Sequence, residues 1–570
     1  MPADATPTPD LAAIEAHLTG PGQPFELEQA TILGQPVTAF KHRPRSLRDV
    51  LQRSSTFGQA DYMVWEDGRR YTYAEHLTLV ANLAANLQSI HGIKPGDRVA
   101  ILAANCPEWV LSFWAVTSLG AVAVGLNAWW TADEILYGIA DCQPSLLIAD
   151  EKRLARLSAE QLASVPCWVL PIDADFEAAL REPRAGHTPA ALPTTPITED
   201  MPAVMLYTSG TTGRPKAAVH THGNLGSLLM VSFFHGARLM ALRPPAADAP
   251  PNCVLVTSPL FHVSGLHCAA VTALGGGAKT VWTMGRFEPL TVLRLIQEER
   301  VTGWGYTSTM LHRVVHHPRA AEYDLSSLRM MGGGGSPIPE RLQNEALQLV
   351  PQVQQTMGVG YGLTEGCAFS TLNPGPELRA HPMSAGRPVP TVELQIRDEN
   401  GQPLPEGEDG DIHVRGPLVM LEYFGNPEAT ASVLLPGRWL RTGDVGQLRD
   451  GRLYLCSRKR DLILRGGENV YPQEIEQRLE AHPLVAECAV VGVPDEELGQ
   501  RVAAFVRVTE QAPPPSPQLE DALRAWVAEA LAYFKVPAEL RFVTEPLPRN
   551  ATGKVLKHVL LGEQSAFIEE

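Results

Sequence analysis

The chain has 570 residues, of which 44% are hydrophobic, and a formal net charge of −16 from 47 basic and 63 acidic residues. This length is too great for one ordinary core and predicts two or more domains, while the apolar content is that of a soluble globular protein. The acidic balance argues against nucleic acid or an anionic membrane as a main partner.

Signals for export or membrane insertion are not visible in the sequence. The eight cysteines are scattered without a C-x-x-C pair, as expected for reduced thiols. The first residues lack the basic and apolar regions of a secretory signal, and the last residues are not a peroxisomal address. We judge no apolar run long enough to cross a membrane. The sequence therefore predicts a cytoplasmic protein without a transmembrane segment.

Helical and strand patterns alternate in the first third of the chain. About 45 Pro-rich, irregular residues come first and include one expected helix around residues 10–17. From Ser46 onward the regular patterns begin, and strands alternating with helices at this spacing imply parallel sheets in an α/β domain. The expected helices are 71–83 and 108–119, and the expected strands are 96–102, 121–126 and 145–149.

The most informative stretch runs from Leu206 to Lys216 and reads LYTSGTTGRPK. An expected buried strand, 202–206, precedes it, and the apolar pattern of 217–224 leads towards a helix. Small residues let backbone N–H groups approach an anion, and hydroxyls and a lysine add donors and charge. The spacing differs from that of a Walker A loop, G-x-x-x-x-G-K-[ST]. The predicted phosphate-binding residues are Thr208, Ser209, Gly210, Thr211, Thr212, Gly213 and Lys216.

The second half of the chain changes its organisation twice. Short strands at 254–257 and 280–282 are followed by a strand end that runs into a Gly-rich turn, 329–337. Two antiparallel strands are expected at 391–396 and 411–415. A hairpin strand and a cluster of basic residues follow. The last part of the chain then combines helices with strands. Its expected elements are a helix at 472–482, strands at 486–493 and 502–508, and a helix at 519–531.

Together, these motifs resemble those of the adenylate-forming (ANL) superfamily, which includes acyl-CoA synthetases, luciferases and peptide-synthetase adenylation domains. The resemblance covers about residues 50–560 through five motifs in the family's order. They are the loop above, GYGLTE (360–365), RTGD (441–444), DLILRGGENV (461–470) and PRNATGK (548–554). The fold that this implies is α/β. A large N-terminal domain of stacked mixed sheets with helices and a β-barrel-like subdomain (1–459) precedes a small mobile α+β domain (460–570).

The resemblance implies a nucleotide site with defined roles. Tyr361 would stack on adenine, Thr364 would contact the α-phosphate, and Glu365 would hold Mg²⁺ together with Thr208, since Mg²⁺ prefers oxygen ligands. Asp444 would bind the ribose hydroxyls, and the guanidinium of Arg458 suits ribose or phosphate. The Gly-rich stretch would form the other wall of the adenine pocket. The remaining predicted nucleotide contacts are Gly335, Ser336, Pro337, Gly360, Gly362 and Leu363.

Two motifs near the C-terminus are implied to serve the two half-reactions. Lys554, in the motif that resembles the catalytic-lysine motif, would offset charge on the carboxylate oxygen and α-phosphate. With Glu365 and Thr208 it completes the predicted catalytic set. Gly466 and Gly467 would let the pantetheine arm of CoA pass close to the backbone. The expected hinge position aligns with Arg460.

The acyl pocket is predicted around PLFHVSG (259–265) and WGYTSTM (304–310). Its expected lining is His262, Gly265, Tyr306, Thr307, Met310 and Gly333. The histidines are not spaced as the ligands of a zinc site are, which argues against a zinc centre. The aspartate that holds an α-amine in peptide-synthetase domains is also missing, which argues against an amino acid. Leu266 stands where some long-chain relatives carry a gating tryptophan, so a gated tunnel is not expected.

The predicted activity is that of an ATP-dependent acid–CoA ligase using ATP, Mg²⁺ and CoA on a fatty, aryl or ring-system carboxylic acid. Three alternatives stay open at this point. They are an adenylating enzyme that loads a carrier protein's phosphopantetheine, a nucleotide sensor without turnover, and a luciferase-like oxygenase. The expected partners are small molecules and not nucleic acid, and a homodimer stays open.

Overall fold

A computed structural model describes residues 11–172, 180, 191–208, 214–242, 244, 249–458, 461–466, 468–550 and 553–562. Five residues of the predicted phosphate loop, Ser209–Gly213, lie outside these ranges. The predicted hinge residue Arg460 and the glycine Gly467 do so too. The roles inferred for these residues from the sequence therefore stay predictions.

The strands belong to five sheets. In chain order they are β1 (Leu27–Ile32), β2 (Gln35–Phe40), β3 (Asp61–Trp65), β4 (Arg70–Thr72), β5 (Arg98–Leu102), β6 (Val122–Gly125), β7 (Leu146–Asp150), β8 (Trp168–Ile172), β9 (Pro202–Thr208), β10 (Lys216–Thr221), β11 (Cys253–Val256), β12 (Lys279–Trp282), β13 (Gly303–Tyr306), β14 (Met330–Gly334), β15 (Gly358–Tyr361), β16 (Thr371–Pro374), β17 (Arg387–Pro388), β18 (Glu393–Arg397), β19 (Gly410–Arg415), β20 (Glu422–Tyr423), β21 (Leu434–Leu435), β22 (Trp439–Arg449), β23 (Arg452–Arg458), β24 (Ile463–Arg465), β25 (Glu468–Val470), β26 (Val485–Asp495), β27 (Gly499–Val508) and β28 (Glu539–Phe542).

Several helices begin at capping residues that are readable in the sequence. Thr72 accepts a hydrogen bond from the backbone N–H of Glu75, whose carboxylate accepts from the N–H of Thr72. Such a capping box satisfies donors that a helix start leaves free. The helices are α1 (Leu11–Thr19), α2 (Leu47–Arg53), α3 (Tyr73–Ser89), α4 (Pro107–Ser118), α5 (Ala132–Cys142), α6 (Glu151–Leu154), α7 (Ala159–Ala163), α8 (His222–Leu242), α9 (Val263–Gly265), α10 (Thr272–Gly276), α11 (Pro289–Glu298), α12 (Ser308–Val315), α13 (Glu340–Leu349), α14 (Gly375–Ala380), α15 (Pro427–Val433), α16 (Pro472–Glu480), α17 (Pro517–Ala528) and α18 (Lys557–Leu560).

The first large sheet has the spatial order β20-β10-β9-β6-β5-β7-β8. Its strands from β9 to β8 run parallel, while β10 is antiparallel to β9 and to β20. The residues of β5 from Val99 to Leu102 are fully buried, as is usual for a parallel strand covered on both faces. Every residue of α4 is buried too. The predicted helices and strands of this region are confirmed.

The second large sheet has the order β17-β16-β15-β14-β13-β11-β12-β3-β4. Its six central strands are parallel, and antiparallel strands close both ends. One face packs Leu255, Trp304 and Met331 into a core with residues of α11, α12 and α13. Since side chains alternate along a strand, their neighbours Val254 and Gly305 face the other way.

Three smaller sheets complete the fold, and one of them is the antiparallel pair β1–β2. The strands β18, β19, β22, β21 and β23 form an antiparallel sheet. The order β25-β24-β27-β26, with β28 beside β27, forms another sheet after residue 461, packed with α16 and α17. The predicted fold class, a large domain of stacked mixed sheets with a smaller C-terminal domain, is confirmed. The predicted mobility of the small domain stays a prediction.

The helix predicted after the phosphate loop is present, but a strand that precedes it was not predicted. A strand, β10, comes first, and α8 begins only at His222. The loop therefore joins two antiparallel strands instead of a strand and a helix. The expectation that no apolar run is long enough to span a membrane also needs correction. By length and composition α8 passes that test, although 56% of the apolar window is buried within the fold.

Candidate functional site

A cavity of about 2700 Å³ brings together residues from every part of the chain. Its wall includes the ends of β9 and β10, the Gly-rich strand β14, the motif after β15, and the turn near the C-terminus. The predicted site residues found at this wall are Thr208, Lys216, Gly333, Gly335, Gly360, Gly362, Leu363, Thr364, Glu365, Asp444, Arg458 and Lys554, together with His262, Tyr306 and Thr307. Ser336, Pro337, Tyr361, Gly265, Met310 and Gly466 are not among the residues that line it.

The two ends of the phosphate loop are held side by side. Thr208 pairs with Lys216 in the β9–β10 register. The hydroxyl oxygen of Thr208 is buried and has no hydrogen-bond partner among the described residues. The Lys216 ammonium lies over the ring of Tyr423, 5.3 Å from its centroid. The Thr208 hydroxyl, without a hydrogen-bond partner among the described residues, and the Lys216 ammonium therefore lie at the two ends of the phosphate loop.

Helix α5 anchors the same loop from outside the cavity, which the sequence did not indicate. The hydroxyl of Tyr207, before the loop, donates to Asp141 at 2.8 Å. The hydroxyl of Tyr137 donates to the carbonyl of Pro215, after the loop, at 3.0 Å. Both acceptor–donor pairs join α5 to a loop end, so the backbone on either side of the loop is fixed in place.

The carboxylate of Glu365 faces the cavity and has one hydrogen-bond donor. Tyr423 Oη donates to Glu365 Oε1 at 2.6 Å. Burial and the nearby Glu365 carboxylate raise the pKa of Tyr423, so this hydroxyl stays protonated. Charge-assisted hydrogen bonds of this kind hold a carboxylate in one orientation. Glu365 lines the cavity, where its carboxylate can meet a ligand.

The backbone around Glu365 is fixed by a buried histidine and by a strained turn. His220 Nε2 donates to the carbonyl oxygen of Thr364 at 2.7 Å, and burial lowers the pKa of His220 to about 4. Cys367 and Ala368 have φ values of 57° and 129°. A side chain at Gly362 would place its Cβ 1.4 Å from the Ala368 carbonyl oxygen, so this position requires glycine.

Asp444 lies at the centre of a small polar group. It receives a hydrogen bond from Tyr361 Oη at 2.8 Å, and Arg458 Nε lies 3.5 Å from its other oxygen. Asp444 and Arg458 are paired across β22 and β23. Tyr361 itself is only 7% exposed. Its role in stacking on adenine stays a prediction, and the observed contact makes it a support for Asp444.

Lys554 reaches the cavity from a compact turn of the C-terminal domain. The Asn550 side chain accepts from the backbone N–H of Lys554 at 2.9 Å. The N–H of Asn550 donates to the Lys554 carbonyl at 2.9 Å. Burial, with a smaller contribution from the Lys554 charge, lowers the pKa of His262 to about 4. The Lys554 charge therefore acts at the histidine of the predicted acyl pocket, and that histidine is neutral near pH 7.

The acyl wall differs from its prediction in two residues. A Cβ at Gly265 would lie 2.2 Å from the Pro259 carbonyl oxygen, so this glycine serves close packing. Met310 belongs to the core behind the second sheet, on the face opposite the cavity. Gly305 of the predicted stretch 304–310 and Met330 and Gly332 of the stretch 329–337 line the cavity. The wall also includes residues that the sequence did not single out, which are Val254 and Val256 on the sheet and Ser232, Phe233, Gly236 and Met240 on α8.

Three glycines of this wall are not required by the fold. Gly236, Gly305 and Gly332 have ordinary φ values, and a Cβ built on any of them would meet nothing within 4 Å. They are the only glycines in the described ranges that combine both properties. Gly305 and Gly332 are direct neighbours across β13 and β14. Glycine within a strand or helix is destabilising, so what these three positions provide is open space in the cavity.

Comparison with known proteins places the chain among a large set of enzymes. The family model "AMP-binding enzyme" matches residues 51–424, and "AMP-binding enzyme C-terminal domain" matches residues 474–554. Feruloyl-CoA synthase of Amycolatopsis sp is 36% identical over 86% of this chain and 93% of its own length. Long-chain-fatty-acid–CoA ligase FadD13 of Mycobacterium tuberculosis is 34% identical over 88% and 94%. The amide bond synthetase McbA of Marinactinospora thermotolerans superposes with a TM-score of 0.77 at 30% identity, covering 90% of this chain and 99% of that one.

Proposed function

This chain belongs to the family of AMP-binding enzymes and is an AMP-forming acyl-CoA synthetase, and we propose that it joins an apolar carboxylic acid to CoA through an acyl-AMP. One observation supports this proposal above the others. Glu365, Asp444 and Lys554 come from three separate segments, the last in the C-terminal domain, and all of them line one cavity.

The chemistry explains why such a site works in two steps. A carboxylate is a poor electrophile, so its oxygen first attacks the α-phosphorus of ATP, and the bond to the β-phosphate oxygen breaks. The products are acyl-AMP and pyrophosphate. The CoA sulfur then attacks the acyl carbon, the bond to AMP breaks, and the thiol proton leaves. In the first step Lys554 would offset the negative charge shared by the carboxylate oxygen and α-phosphate.

Mg²⁺ fits the oxygen groups at the phosphate end of the cavity. The buried Thr208 hydroxyl lacks a partner among the described residues, and the Glu365 carboxylate lines the same cavity. Mg²⁺ in phosphate-transfer sites is held by one or two carboxylates, phosphate oxygens and water. Bound there, it would neutralise charge on the departing pyrophosphate. Tyr423 would keep Glu365 in the orientation that this requires.

We propose that the acid is a bulky apolar one, with a ring system or a long chain. The cavity is also lined by Val254 and Val256 of β11, by Gly305 of β13 and by Phe233 of α8. An apolar wall with few polar groups selects an apolar ligand by burial. The similar proteins named above include enzymes for an aromatic acid and for long-chain fatty acids, so both kinds belong in the test.

A pyrophosphate-release screen over carboxylic acids, run with and without CoA, tests the proposal. We expect release with aryl-propenoic, indole-type or long-chain acids, and acyl-CoA only when CoA is added. Small acids such as acetate should be poor substrates. Acyl-AMP without any acyl-CoA would instead indicate a carrier protein as acceptor. ATP binding without pyrophosphate release from any acid would indicate a nucleotide sensor.

The open glycines give a prediction about acid size. Valine at position 305 should lower kcat/KM for bulky acids by about ten- to a hundredfold, because filling space for one or two methyl groups costs about 1–3 kcal/mol of binding. Acetate and propionate should be used as before. Gly305→Ala should fall between the two. The measurement is kcat/KM across a size series of acids for the three proteins.

Thermal unfolding of the same variants is the control for this prediction. Because Gly305 lies in a strand with ordinary φ and has no neighbour within 4 Å, neither substitution should lower the unfolding midpoint. A parallel loss of activity with small and large acids would contradict the role given to Gly305.

A further inference from the structure

A hydrogen bond from Thr309, in the large domain, reaches the turn that carries Lys554. Thr309 Oγ1 donates to the carbonyl oxygen of Gly553 at 3.0 Å. Thr309 lies in the first turn of α12, in the large domain, and Gly553 immediately precedes Lys554. Thr309 does not line the cavity, so it contacts the turn without contacting the reacting molecules.

The Gly553 carbonyl has a second donor that belongs to its own domain. Arg549 Nη1 donates to the same oxygen at 2.8 Å. Arg549 Nη2 is bound to Glu487 at 2.7 Å, and Glu487 also accepts from Arg507 at 2.6 Å. This Glu487 network lies within the C-terminal domain, so it moves with the turn. Of these two contacts with the Gly553 carbonyl, the one from Thr309 comes from the large domain and depends on where the C-terminal domain sits.

The fit between the turn and α12 is close. Gly553 has a φ of 82°, and a Cβ there would lie 3.1 Å from Thr309 Oγ1 and 3.2 Å from Thr307 Oγ1. A left-handed φ already disfavours other residues. The two threonine hydroxyls therefore leave room for a glycine and for nothing larger when the turn is docked.

We propose that Thr309 is a positioning residue that holds the Lys554 turn in the cavity during adenylation. The inference rests on the proposed function, since it takes Lys554 as the lysine of the first half-reaction. When the C-terminal domain leaves this arrangement for thioester formation, the Thr309–Gly553 bond breaks while the Arg549–Gly553 bond persists. Thr309 thus stabilises the adenylation arrangement but not the thioester-forming one. A contact made in only one of two states shifts the equilibrium towards that state.

Thr309→Val tests this proposal, because valine has nearly the shape of threonine but no donor. We expect the single-turnover rate of pyrophosphate release to fall about five- to tenfold, the effect of one hydrogen bond on an equilibrium. The KM for ATP should change less than twofold, since Thr309 does not touch the nucleotide. Conversion of supplied acyl-AMP and CoA into acyl-CoA should keep its rate. Thr309→Ser keeps the hydroxyl and should restore pyrophosphate release.

Gly553→Ala is the second variant and acts from the other side of the contact. It should slow pyrophosphate release more than Thr309→Val and leave the thioester step intact. The two Thr309 variants should keep the wild-type unfolding midpoint, whereas Gly553→Ala should lower it, because alanine is strained at a left-handed φ. Normal adenylation by Thr309→Val, equal loss of both half-reactions, or failure of serine to restore the rate would overturn the positioning role alone. A wild-type protein that releases no pyrophosphate with any acid would overturn the proposed function as well.

Discussion

Lys554→Ala should reduce acyl-AMP formation by about 10²–10³-fold, the usual cost of removing one group that stabilises developing charge. Transfer of the acyl group from supplied acyl-AMP to CoA should remain largely intact. The reason is that Lys554 lines the cavity and its charge contributes to the lowered pKa of His262, in the predicted acyl pocket. Once acyl-AMP has formed, the bond between the carboxylate oxygen and the α-phosphorus is complete. The Lys554 charge then no longer contributes to the reaction. The two rates are measured separately, by pyrophosphate release and by thioester formation.

Lys535→Ala is the matched control for this experiment. Lys535 lies in the same C-terminal domain, is paired with Glu474 at 2.7 Å, and does not line the cavity. We expect its removal to leave both half-reactions unchanged, because this half-buried ion pair lies away from the cavity wall. Equal loss of both half-reactions in Lys554→Ala would contradict the role given to this lysine.

Glu365→Gln should raise the Mg²⁺ concentration needed for half-maximal adenylation by at least about tenfold, since changes around a metal ligand cost ten- to a hundredfold in affinity. Glutamine has the same size as glutamate and can still accept a hydrogen bond from Tyr423, so the fold should be kept. Only the negative charge next to Thr208 is lost. The measurement is pyrophosphate release as a function of Mg²⁺ at a fixed ATP concentration.

Glu422→Gln provides the control for charge in the same region. Glu422 is exposed on β20, next to Tyr423, and does not line the cavity. Its Mg²⁺ dependence should match that of the wild type. If Glu365→Gln also titrates like the wild type, Glu365 is not a metal ligand. Calorimetric titration of ATP with Mg²⁺ present would then show whether it affects nucleotide binding at all.

Helices and strands with a clear period were predicted correctly, whereas a short apolar run was not. Residues 217–221 are apolar enough for either a strand or the start of a helix, and periodicity cannot decide between these over five residues. What decides is the pairing of β10 with β9 and β20. The predicted phosphate loop is therefore flanked by two paired strands, β9 and β10.

The acyl wall was the least predictable part of the site. Its residues come from β11, β13, β14 and α8, with no motif that connects them. Met310 looks equally suited to a pocket or a core in the sequence, and its position behind the sheet follows from the packing of α12. The three open glycines could be recognised only after their φ values and neighbours were known.

The sequence by itself determined the family and the fold class, and it predicted the residues that carry the chemistry. Binding phosphate, ribose or a carboxylate requires particular residue types at short spacing. The residues expected to bind them therefore lie within contiguous motifs such as GYGLTE and PRNATGK. Tertiary structure alone decided which side chains face the cavity and how Lys554 is held there. Strand register and domain docking bring together residues far apart in the chain, as with Thr309 and Gly553, 244 positions apart. Contacts of that kind depend on packing between elements, which no local pattern encodes.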